Sequence, residues 1–66
     1  MSEFQRLLLE NLSEDKCWGH DETNGPEKRS LAVMEEKGLV RSVVYANGLH
    51  WEMTDKGYES IGYLSQ

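Results

Sequence analysis

The chain has 66 residues, with twelve acidic against seven basic side chains and a net charge of −5. A chain this short makes one domain over residues 1–66, buries little surface and is marginal alone, which leaves room for partner binding or self-association. One cysteine excludes an intrachain disulfide framework, no apolar run is long enough to span a membrane, and MSEFQRLLLE lacks the basic segment and apolar core of a secretory signal, so the expected compartment is the cytoplasm.

Residues 3–12 read as an amphipathic helix that Ser2 can cap. Phe4, Leu7, Leu8 and Leu12 form its apolar stripe. Leu9 sits about 100° off the stripe centre. It either widens the buried face or touches a second copy, so a homodimer is one arrangement the sequence leaves open. Residues 13–25 are polar and carry no helical stripe. A short strand over Cys17–Gly19 is expected there, followed by a loop. Trp18 plugs the core, and the strand adds a third rung beside the later hairpin.

Asn24 caps and Pro26 starts a helix over residues 26–37. Leu31 and Met34 fall on one face. Lys37 followed by Gly38 is the usual order at a helix end, a cation near the carbonyls and then a residue that tolerates positive φ. Leu39 and Val40 follow as anchors. Asn47-Gly48 is the strongest short hairpin signal. A two-residue turn on that pair sets Ala46 against Leu49, Val44 against Trp51 and Ser42 against Met53. Val40, Ser42, Val44, Ala46, Leu49, Trp51 and Met53 then share an apolar face, with Val44, Trp51 and Met53 buried together. Arg41, Val43, Tyr45, His50, Glu52 and Thr54 share the other face, where Tyr45 lies opposite His50. Thr54 caps a last helix, with Asp55 in its first turn. Tyr58, Ile61 and Leu64 should pack inward, while Gly57 and Gly62 weaken that helix.

Two phrases carry a resemblance, Met34-Glu35-Glu36-Lys37-Gly38-Leu39-Val40 and Trp51-Glu52-Met53-Thr54-Asp55-Lys56-Gly57. With the α+β order helix, short strand, helix, β-hairpin, C-terminal helix, the chain resembles a winged-helix domain of the small transcription-regulator type. The resemblance covers residues 29–64. It implies that residues 26–37 are a recognition helix for the DNA major groove and that Tyr45 to His50 form the wing tip. The departure lies upstream, where no second helix is expected before Pro26. Within the resemblance, Arg29 would meet a guanine edge or a phosphate, and Ala32 or Val33 a thymine methyl. Lys28, Arg41 and Lys56 would reach phosphates.

Charge argues both ways. Residues 1–25 carry six acids against two bases, −4, and residues 26–66 carry six against five, −1. No basic patch stands out, yet DNA affinity is dominated by phosphate neutralisation. An exposed Val33 beside Ala32 suits a protein interface equally well.

Other chemistry has little support. Cys17 and His20 have a C-x-x-H spacing, with Asp21 and His50 as conceivable further ligands. A structural zinc site usually takes four Cys or His, and the chain has three. No glycine-rich phosphate loop and no oriented nucleophile–base pair is present, so neither metal, cofactor nor enzymatic activity is expected. Two functional readings follow. One is a small double-stranded-DNA-binding regulator of phage or mobile-element type, using Lys28, Arg29, Ala32, Val33, Arg41 and Lys56. The other is an acidic adaptor or inhibitor that binds a protein through Leu9, Val33 and Tyr45 and does not bind DNA.

Overall fold

The computed structural model describes residues 1–62. Helix α1 (Glu3–Asp15) leads into a short strand β1 (Cys17–Gly19) and one 3₁₀ turn (His20–Glu22). Helix α2 (Gly25–Glu36), strands β2 (Val40–Tyr45) and β3 (Gly48–Met53) and helix α3 (Asp55–Ser60) follow. The strands form one antiparallel sheet in the order β1-β3-β2. This is a small α+β architecture, compatible with the layout expected from sequence. No helix among the described residues is long and apolar enough to cross a membrane.

All three helices start on side-chain caps. Ser2 Oγ accepts the Gln5 N–H at 3.1 Å, and Gln5 Oε1 accepts the Ser2 N–H in return. Asn24 and Glu27 make the same reciprocal pair at 2.9 Å each way, with Pro26 in the first turn of α2. Thr54 Oγ1 accepts the Gly57 N–H at the start of α3. Each pair satisfies donors that a helix leaves orphaned. Helix α1 ends at Lys16, whose φ of 77° turns the chain straight into β1.

The core consists of Leu8, Leu9, Leu12, Leu31, Met34, Leu39, Val40, Trp51 and Met53, with Trp18, Tyr58 and Ile61 packed against it. Leu64 lies outside the described residues. On α1 the buried side differs from the expected stripe. Leu9 is fully buried, whereas Phe4 and Leu7 are about half exposed. Leu7, Leu8 and Leu9 span some 200° of helix surface, and only two of three consecutive leucines can face one core. Leu9 rather than Leu7 joins Leu8 and Leu12, which removes Leu9 from any partner contact.

The hairpin register also differs. The pairs are Tyr45 with Gly48, Val44 with Leu49, Val43 with His50, Ser42 with Trp51, Arg41 with Glu52 and Val40 with Met53. The turn therefore sits on Ala46-Asn47, neither of which takes positive φ, and Gly48, at φ 118°, opens β3 instead. Each β2 residue meets a partner two positions earlier in β3 than expected. An even slip keeps every side chain on its face, so Trp51 and Met53 are buried as expected. Val44 is not. It pairs with Leu49 towards the hairpin tip, beyond the cover of the helices, and is 77 % exposed.

The corner after α2 is tied to the start of α3. Gly38, at φ 80°, and Leu39 donate back to Glu35 O and Met34 O, closing a Schellman motif. Thr54 Oγ1 then donates to Gly38 O, Thr54 N to Leu39 O, and Lys56 Nζ to Lys37 O at 3.0 Å. Carbonyls at the negative end of α2 thus face donors at the positive end of α3. Gly57 is buried there, and a Cβ on it would overlap the Leu39 carbonyl oxygen.

Candidate interaction surface

Leu31 and Met34 anchor α2 in the core, which turns the stripe of Arg29, Ala32, Val33 and Glu36 directly outward. All four are exposed. The stripe carries one cation, one acid and two apolar side chains between them. Lys28 leans to the side of this stripe and lines an open cleft of about 540 Å³ against the hairpin tip. The same cleft holds Asp21 and Glu22 from the 3₁₀ turn and Asn47, Leu49 and His50 from the hairpin. Two carboxylates therefore share the cleft with its one lysine.

The remaining cations are placed elsewhere. Arg41 alternates with buried Val40 and so projects from the face of the sheet turned away from the helices. Its Nη2 bonds Glu52 Oε1 at 3.3 Å across the hairpin. Lys56 is engaged with the Lys37 carbonyl. Of the six residues expected at a nucleic-acid surface, α2 brings four together, Lys28, Arg29, Ala32 and Val33. Arg41 and Lys56 stand apart from them. Tyr45, expected at a protein surface, is exposed on the open sheet face and meets His50 edge-on, centroids 5.0 Å apart. The register makes this a diagonal contact, because Val43 is the residue opposite His50.

Cys17 and His20 do not form a common site. His20 stacks on Trp51 at 3.9 Å with rings 11° from parallel, and its Nε2 lies 3.1 Å from Ser42 Oγ. Trp18 Nε1 donates to Asp15 Oδ2 at 2.7 Å. Among the described residues no three His, Cys, Asp or Glu side chains gather as a metal-holding group.

Sequence reasoning missed Val44 and Leu49 as exposed apolar side chains. The Val44–Leu49 pair lies on the face that carries the core, and only the reach of the helices, which periodicity does not report, leaves it uncovered. Compared with protein-family models, curated proteins and solved structures, the chain matches none.

Proposed function

We propose that the chain is a winged-helix-like module that binds another protein through the outward stripe of α2 and the hairpin tip. The observation that carries this reading is the make-up of those two places: Val33 is exposed on the α2 stripe and Val44 and Leu49 on the hairpin, while Lys28 shares the cleft at the hairpin tip with Asp21 and Glu22. Exposed apolar side chains among mixed charges suit a protein interface. A DNA-binding face needs several cations to neutralise phosphates, and here Arg41 points away and is bound to Glu52. An overall charge of −5 is no handicap to a protein partner. As an adaptor or inhibitor, the module would act by occupying a surface of a larger assembly.

A second reading is double-stranded DNA binding. It is favoured by Lys28 and Arg29, both exposed on the first turns of a helix that precedes a hairpin. Titration of the folded chain with mixed-sequence duplex at low salt separates the two. The protein reading expects no binding. Binding that strengthens as salt falls, and that Arg29→Ala weakens by about 1–3 kcal/mol, would establish the DNA reading instead. Recovery of a stoichiometric protein partner by the wild type and by Arg29→Ala, with loss in Val33→Asp, is the positive outcome for the first.

A further inference from the structure

The two edges of the sheet are finished differently. The β1 edge is three residues long, and the N–H of its last residue, Gly19, is taken by Glu22 Oε1 at 2.7 Å. The β2 edge runs six residues, Val40–Tyr45, in an unbroken register with β3. Among the described residues no backbone bond is made along its outer side. Natural sheets blunt such edges with Pro, Lys, a bulge or a covering segment. Strand β2 has no Pro, no Lys and no bulge, and its one charge, Arg41, is held by Glu52 of its own hairpin.

We propose that the outer edge of β2 pairs antiparallel with β2 of a second copy, joining the two three-stranded sheets into one. Charge selects a second copy for this place. Within residues 40–53 Arg41 and Glu52 cancel, so the hairpins of two copies bring no net charge of their own against one another although each chain carries −5. A separate exposed apolar strip, Phe4 and Leu7 on α1, lies beside Glu3 and Glu14 on the helix surface, and a second acidic copy is repelled there. The edge is also self-complementary. Pairing centred on Val43 sets Val43 against Val43 of the second copy and Arg41 against Tyr45 of the second copy on the open face, a cation beside an aromatic ring. Backbone groups left unbonded on the outer side between Arg41 and Tyr45 of both copies then bond one another, while Val40, which is buried, stays out of the joint.

Sedimentation of the full chain over the micromolar to millimolar range tests this, with Val43→Lys and Leu7→Lys as variants of equal charge. The wild type and Leu7→Lys should self-associate. Val43→Lys, which puts like charges directly opposite at the two-fold centre, should associate at least about tenfold more weakly with an unchanged circular dichroism spectrum. Amide exchange read alongside should slow with concentration within Val40–Tyr45. That measurement needs no variant, and so it decides the matter if Val43→Lys fails to fold. A wild type that stays monomeric throughout overturns the proposal. So does association of Val43→Lys equal to that of wild type, or concentration-dependent protection confined to α1.

Discussion

At Gly57 the backbone of α3 lies so close to Leu39 that no side chain fits between them. Gly57→Ala must push α3 off the corner that Thr54 and Lys56 hold, and overpacking of this kind costs about 1–3 kcal/mol. Urea unfolding should show that loss, although alanine is the better helix former and would stabilise an exposed position by about 1 kcal/mol. The sign of the effect therefore tells whether the close approach exists in solution. Trp51 presents the opposite case, a large side chain with little exposure, covered by the ring of His20. Its Nε1 is buried and has no hydrogen-bond partner among the described residues, so packing holds the indole. Trp51→Ala should cost about 3–5 kcal/mol, much of the stability of so small a domain. His20→Ala, which removes both the stacked ring and the contact of Nε2 with Ser42 Oγ, should cost about 1–3 kcal/mol in the same denaturation experiment.

Among the elements, the capped helix starts, the Gly38 corner, the β1 strand and the burial of Trp51 and Met53 were all legible in the sequence. Each depends on local chemistry or on a period that a few residues display. The faces of the hairpin were legible too, because alternation survives an even slip. The turn was not. Asn47-Gly48 has two ways to use a glycine at positive φ, inside the turn or just after it, and the strand pairing decides between them. Helix α1 was ambiguous for a related reason, since three leucines in a row mark no single face. Leu9→Ala should therefore cost about 2–5 kcal/mol, and Leu7→Ala, on the half-exposed side, within about 0.5 kcal/mol of nothing. Equal losses at the two positions would contradict the observed orientation of α1. The candidate surface was legible on α2, where Lys28, Arg29, Ala32 and Val33 do share the exposed side. The pairing of Arg41 with Glu52 was not legible, because Glu52 becomes its neighbour only through the strand register.

For the molecule as a whole, charge placement matters more than net charge. The −4 of residues 1–25 belongs to α1, β1 and the 3₁₀ turn, and the near-neutral remainder carries both the α2 stripe and the free edge of β2. Surface ion pairs add little stability in such a molecule. Arg41→Ala should change unfolding free energy by no more than about 1 kcal/mol, because the arginine side chain is 63 % exposed. A larger loss on thermal or urea denaturation would mean that the pair with Glu52 organises the hairpin.

The tie between the α2 corner and α3 has a consequence for the order of assembly. It joins Gly38 to Thr54 and Lys37 to Lys56, contacts 16 and 19 residues apart, whereas β1 reaches β3 only across the whole of α2 and the hairpin, Cys17 meeting Glu52. Short closures form before long ones because less chain entropy is lost in making them. The corner, hairpin and α3 should then constitute the folding nucleus, with α1 and β1 docking afterwards. Substitutions at Leu39 and Met53 should slow refolding, and those at Leu12 and Trp18 should mainly speed unfolding. The reverse pattern in stopped-flow measurements would move the nucleus to the first helix.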